Sequence, residues 1–410
     1  MDVKHELEFM IQTWAKNVGQ PVEWSEHEGI TIGVRPENQL QLSASFVQRQ
    51  YDQINLNTDG IIETEAGKPD YLATAFYLLN SLQEHNDTNR DELGRFRYSN
   101  SYQYKRSNAD QNLVQNCFDA ISKTAGLNPR KVKSSFLLTH DIDLVNGAWL
   151  EDGFSATKKG RVDQLLVMML NMLIGRPDWL NMDKIMKLES EYDCKSVFYW
   201  LVNKGKINAR ERNSDYTFRS TAIQGQYKNV EAKGFENGLH KSISNESFES
   251  ELKKFGTHPL GNRYHYLKFA LPEAYHEIEN AGLKLDASLG FAEQPGFRNS
   301  YGLPFNPYST RDRRPFKFVE VPLHVMDRTF FQYKKASLAE TEHMIFSFFE
   351  RNRENCVLSV LWHNNFFTDH KFKGYLGLYK KILGYIRDNH FRTMSQTEII
   401  EKFSISNNGN

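Results

Sequence analysis

Cysteine is scarce in this chain of 410 residues: Cys117, Cys194 and Cys356 stand far apart. They form neither a disulfide framework nor a CxxC metal knuckle, so the thiols read as reduced. Net charge is missing as well, with 51 Lys+Arg against 51 Asp+Glu. Without a basic field, no nucleic-acid partner is expected. No apolar run approaches the roughly 20 residues of a bilayer span, so none is expected. The N-terminus, Met1-Asp2-Val3-Lys4-His5-Glu6-Leu7-Glu8, shows no basic stretch leading into an apolar one. No signal peptide is therefore expected, and the expected location is cytoplasmic. GxGxxG after a strand, GxxxxGK[ST], GxSxG and HExxH are all absent. This removes most support for dinucleotide enzymes, P-loop NTPases, elbow-type serine hydrolases and zincins. There is no internal repeat, no low-complexity block and no trace of oligomeric state.

What is present is enough for a full core: 40% of the residues are hydrophobic and 13% are aromatic, which excludes general disorder. Leu7, Met10, Ile11 and Trp14 make one helical face within 4–19. Ile30–Val34 alternates as a strand. Asp70 suits the N-cap of a helix through Ala73, Phe76, Leu79 and Leu82. Another amphipathic helix covers 111–125, before Asn128-Pro129. Residues 1–130 read as a small α/β domain. From 131 to 403 short apolar runs alternate with helix-length segments. The runs are Ser135–Leu138, Ser196–Leu201, Gly238–His240, Lys284–Ala287, Phe318–Pro322, Val357–Trp362 and Phe391–Met394. Helical patterns cover 163–174, 182–193, 271–281, 338–351 and 375–388. This rhythm predicts a parallel α/β sheet or barrel with its chemistry at the strand carboxyl ends. Residues 404–410 read as a frayed tail.

Polar clusters stand where the strands end. In Thr139-His140-Asp141-Ile142-Asp143, alternation puts Asp141 and Asp143 on one face and His140 on the other. Two close carboxylates are costly unless a cation or proton lies between them, although solvated loop carboxylates fit the same residues. His240 ends Glu236–His240, and its plainer reading is a hydrogen-bonded rim histidine. In Asn262–Leu267, Arg263 and His265 project together if the segment is extended. Asp286 leads into Ala287–Phe291, and Pro295-Gly296-Phe297-Arg298 follows. Arg298 could hold an acidic group or a sugar hydroxyl, or form a surface ion pair of little weight. Val357–Asn365 ends in Trp362-His363. Trp362 suits a sugar face or ordinary core, and His363 is placed to act as an acid. Arg90, Asp91, Glu92 and Arg95 are expected to have a solvated or inter-domain role.

Thr139–Asp143, Gly238–His240, Arg263–Leu267, Asp286–Phe291, Gly296–Arg298 and Leu361–Asn364 together resemble a divergent branch of the polysaccharide deacetylases. These are the barrels of carbohydrate esterase family 4, with the nodulation-factor deacetylase fold. Ala73–Leu79 and Arg90–Phe96 resemble the accessory domain that precedes the barrel in that branch. The resemblance implies a distorted parallel (β/α) barrel after a small α/β domain. It implies a divalent metal, zinc by preference, and removal of an N-acetyl or O-acetyl group from a carbohydrate or glycan precursor. Carried over, Asp141 matches the base, His363 the acid and His240 a metal ligand. The family's second Asp and second His fall on Ile142 and Ser244. Asp143 and His265 are the candidates to replace them. They must then point with His240 at one centre, with ligand atoms about 2.0–2.2 Å from it. Arg263, Asp286, Arg298 and Trp362 are the candidates for binding substrate. The competing expectation is an inactive deacetylase-like protein that binds a carbohydrate or a partner.

Overall fold

The computed structural model describes residues 3–405, apart from 20–21, 23, 28–30, 36–37, 130, 147–157, 159, 161, 174–177, 210 and 370. The N-terminal part packs the helices Lys4–Val18, Tyr71–Leu79 and Leu113–Thr124 together. Trp14 is buried, as its place on the apolar face requires, and its indole N–H donates to Ser122 Oγ at 2.9 Å. The Asp70 side chain accepts from the Ala73 amide as an N-cap. Three short strands, β1 (Ser25–His27), β2 (Thr31–Arg35) and β3 (Asn38–Gln41), form an antiparallel sheet. The expected strand at 30–34 is thus β2; Ile30 itself lies outside the described residues.

The rest is built on eight parallel strands. In chain order they are β4 (Ser135–Ile142), β5 (Ser196–Trp200), β6 (Glu236–Lys241), β7 (Gly261–Tyr264) and β8 (Leu285–Asp286). A two-residue pair, β9 (Tyr308–Ser309) with β10 (Arg314–Pro315), stands apart. Then come β11 (Val319–Glu320), β12 (Val325–Met326) and β13 (Val357–Leu361). Their order across the sheet is β11-β8-β7-β6-β5-β4-β13-β12. The sheet is curled and open, a half-barrel, which agrees with the expected distorted (β/α) barrel. Phe391–Met394, expected as a strand, makes only a single bridge from Thr393 to Phe136. Its contact with the start of β4 is too short for a ladder.

All eight residues of β4 are buried. Phe136 and Leu138 face a cluster with Phe349, Tyr379 and Leu383 from the helices Leu338–Arg351 and Tyr375–Asp388. Leu137 faces the opposite way, into the barrel, among Val197, Tyr199, Leu285 and Val319. Helix Gln396–Phe403 closes that cluster through Ile399. The largest apolar cluster runs from Leu7, Phe76 and Phe118 to Trp200, Leu239 and Leu361, so N-terminal segment and half-barrel share a core. The start of the expected frayed tail is tied down: Lys16 Nζ donates to Ser404 O at 2.6 Å, and the Ile405 amide to Asn306 Oδ1 at 2.7 Å. Residues 406–410 lie outside the described residues.

Candidate metal centre

Strand alternation sets the first half of the site. Asp141 and Asp143 leave the carboxyl end of β4 on one face, and His140 takes the other. His140 is fully buried there, bonded to Glu189 at 2.8 Å and to Trp362 O at 2.6 Å. Curvature supplies the second half. In a flat sheet, three strand steps would separate β4 from β7 by about 14 Å. Here Asp143 Oδ1 lies 3.5 Å from Nε2 of His265, the residue after β7, and 3.3 Å from Nε2 of His240 on β6. Four ligands at about 2.1 Å around a tetrahedral centre stand roughly 3.4 Å apart. Among the described residues, Asp143, His240 and His265 are the group whose donor atoms converge for a metal.

The local chemistry fits a cation. Asp143 Oδ1 and His240 Nε2 are buried and have no hydrogen-bond partner. The His240 Nδ1–H donates to Arg263 O at 2.9 Å, which leaves the Nε2 lone pair facing the centre. Burial opposes ionisation of Asp143, but His265, His240 and His363 together hold its carboxyl well below the usual range. Burial also lowers His240, and Asp141 with Asp143 outweighs it and raises the ring above its ordinary value. For His265 burial wins over Asp143 and the ring is lowered. One carboxylate and two imidazoles form a donor set that zinc and other borderline divalent ions accept.

Two further groups face the same centre. Asp141 Oδ2 lies 3.4 Å from His240 Nε2, and Asp141 Oδ1 lies 3.6 Å from Nη1 of Arg263. That guanidinium is fully buried and sits 5.0 Å over the Tyr199 ring. The ring has room because residue 238 is glycine: a Cβ there would stand 2.3 Å from it. On the other side, His363 Nε2 is 3.6 Å from Asp143 Oδ2. Its Nδ1–H donates to Asp327 at 2.7 Å, and its backbone amide donates to the same carboxylate at 2.6 Å.

The four residues expected to bind substrate do not line the cleft, and each needs correction. Arg298 is 2% exposed and makes a bidentate pair with Glu84 of the N-terminal segment. Trp362 is fully buried against Tyr375 and Tyr379, as core. Asp286 lies inside the barrel with Asn262 and Ser288. Burial raises the carboxyls of Asp286 and its neighbour Glu320, and the Asp286 charge raises Glu320 further. Arg263 is sealed behind Asp141. The walls of the cleft are instead Arg95, Arg212, Tyr266, Arg328, Tyr333, Asn365 and Lys371. Tyr266 and Leu267 both have left-handed backbones, φ 60° and 54°, a costly conformation for such residues. The turn lays the Tyr266 ring 4.2 Å from that of His265. Arg95 fixes it by donating to Tyr266 O and to the Tyr333 hydroxyl, each at 3.0 Å. Arg95 therefore joins the N-terminal segment to the cleft wall. Asp327 escaped the sequence reading because β12 has only two residues; its signal was a carboxylate directly after an apolar pair. A second cleft, at the amino ends of β4 and β13, has no histidine or carboxylate in its lining.

Residues 7–124 match the model of a family of unknown function, DUF7033. No curated protein matches the chain. Among solved structures, the chain is similar to the Bc1960 peptidoglycan N-acetylglucosamine deacetylase, at 12% identity and a TM-score of 0.34. That match covers 64% of this chain and 86% of the other. It is similar to a family-4 carbohydrate-esterase pseudoenzyme from Bacillus anthracis, at 11% identity and a TM-score of 0.30, over 67% of this chain and 68% of the other. A peptidoglycan deacetylase from Bacillus subtilis matches at 10% identity and a TM-score of 0.28, over 66% of this chain and 91% of the other.

Proposed function

We propose that this protein is a metal-dependent hydrolase that removes an acetyl group from the nitrogen of an acylated sugar or glycan precursor. The observation that carries the reading is the convergence of Asp143, His240 and His265, with Asp143 at tetrahedral ligand spacing from both rings, beside one free-edged carboxylate and one carboxylate-held histidine. These three residues hold the ion, zinc by preference. Bound there, it would supply Lewis acidity toward a water and an acyl oxygen. Asp141 is the base that takes a proton from the attacking water; Arg263 Nη1 stands 3.6 Å from its Oδ1. His363 gives a proton to the nitrogen as the carbon–nitrogen bond breaks, and the water's oxygen stays on the released acetate. Asp327 orients the ring through its hydrogen bond to Nδ1.

Acetate release from N-acetylglucosamine oligomers by zinc-loaded protein tests the reading. Turnover is expected in the wild type. Asp141→Asn should lose turnover and keep the metal. Full turnover in Asp141→Asn would remove Asp141 as the base. Stoichiometric zinc with no acetate released from N- or O-acetylated sugars would favour a binding protein on this scaffold.

A further inference from the structure

A histidine that ligates a metal is almost always fixed through its other ring nitrogen. His240 follows this rule, with Nδ1 bonded to Arg263 O at 2.9 Å. His265 does not. Its Nε2 faces Asp143, and its Nδ1 is buried with no hydrogen-bond partner among the described residues. Ring contacts stand in for that bond. The Tyr266 ring lies 4.2 Å from the His265 ring at an interplanar angle of 31°, and the His240 ring lies 4.8 Å from it. His240 belongs to the same centre, so Tyr266 is the support from outside it.

Tyr266 does not keep this pose unaided. It follows the ligand directly and has a left-handed backbone, φ 60°, as has Leu267, φ 54°. Such a backbone persists in these residues only where the surroundings hold it. Leu267 is buried, and the Lys268 amide closes the turn onto His265 O at 3.1 Å. The Tyr266 carbonyl is held from a distant part of the chain, by Arg95 Nη1 at 3.0 Å. The same Nη1 donates its second proton to the Tyr333 hydroxyl, also at 3.0 Å. Arg95 arrives already aimed. Its Nε is paired with Asp91 Oδ2 at 2.7 Å, and its amide donates to Asp91 Oδ1 at 2.8 Å. The Asp91 amide donates back to Arg95 O at 2.9 Å. The planar guanidinium lets one side chain hold the carboxylate through Nε and two oxygens through Nη1.

We infer that Arg95 is a positioning residue for the metal centre. Through it the N-terminal segment keeps the Tyr266 ring against His265 and so fixes a ligand that has no hydrogen bond of its own. The centre is then complete only with the N-terminal segment docked. This rests on the reading above of Asp143, His240 and His265 as the ligands.

Zinc affinity of the full chain, measured by competition with a chromogenic chelator, tests this without any substrate. Arg95→Met keeps the apolar stem and removes every donor. It should bind zinc about 10- to 100-fold more weakly, the range for losing the support of a ligating histidine. Cobalt-loaded protein reads the ligand geometry, and its visible absorption spectrum should change in the same variant. Gln103→Ala is the control for loosened packing. The Gln103 amide joins the N-terminal segment to Ser300 Oγ at 2.9 Å and not to the turn, so this variant should keep the wild-type affinity and spectrum. If Arg95→Met does not fold, Asp91→Asn decides, since it removes the charge that holds Nε; it should weaken zinc several-fold. Wild-type affinity and spectrum in Arg95→Met, or in Asp91→Asn where the first variant does not fold, would overturn the inference and leave the centre standing. An equal loss in Gln103→Ala would overturn it as well, by assigning the effect to general loosening. Wild-type protein that takes up no zinc would remove the centre, and the inference with it.

Discussion

Replacing Arg298 with methionine should destabilise the fold by about 3–5 kcal/mol, because it strands a buried carboxylate. Arg298 and Glu84 are 2% and 0% exposed in their side chains. Arg298 Nε donates to Glu84 Oε1 at 2.8 Å, and Nη1 donates to Gly290 O at 2.9 Å. With an effective dielectric near 20 and charges roughly 4 Å apart, the attraction is about 4 kcal/mol. Removing both charges together avoids the stranded ion, so Glu84→Leu/Arg298→Met should recover most of the loss. Urea unfolding followed by tryptophan fluorescence measures all three variants. The pair joins residue 84 to residue 298, so its loss should also loosen the N-terminal segment that brings Arg95 to the cleft. A loss below about 1 kcal/mol in Arg298→Met, the range of an exposed pair, would refute the reasoning. So would a double variant no more stable than either single one.

Asp327→Asn should lower kcat by about 10²–10⁴ with little change in KM, because the ring loses its orienting anion; an unchanged kcat would remove Asp327 from the mechanism. His324 is fully buried, and its Nδ1 accepts the Ser359 amide at 3.1 Å, a bond open only to the neutral ring. Burial holds its pKa down to about 3, against an ordinary 6.5. Above pH 6.5 nothing is lost; below it the unfolded chain gains the proton first, costing roughly 2 kcal/mol by pH 5. The difference between wild type and His324→Leu in urea midpoint against pH reads this slope, and parallel curves would contradict it. Gly238→Ala should cost about 1–3 kcal/mol by overpacking against Tyr199, and should lower activity by moving Arg263; a neutral substitution would show that the ring has other room.

Much of the fold was legible because its helices carry strong periodicity. The helices expected at 338–351 and 375–388 are found as Leu338–Arg351 and Tyr375–Asp388. Helix Thr221–Ala232 escaped because only Ile223, Tyr227 and Val230 are buried in it. Helix Gln396–Phe403 escaped although Ser395 and Glu398 form a capping box, a signal present in the sequence. Strand alternation was enough to put Asp141 and Asp143 together and to turn His140 away. It could not bring His265 to Asp143, since that contact depends on sheet curvature across three strands. The substrate residues went astray for a related reason. Arg298 and Trp362 are polar or amphipathic residues beside a glycine-rich or strand-end segment, and only packing reveals that Glu84 and Tyr379 already occupy them.

The most direct measurement is zinc content, by elemental mass spectrometry, of untagged protein purified without chelator and then reconstituted. The wild type should hold one equivalent per chain, and His265→Ala should lose it while keeping its circular dichroism spectrum. Wild-type protein that takes up no zinc, or His265→Ala that keeps a full equivalent, would contradict a centre built from Asp143, His240 and His265.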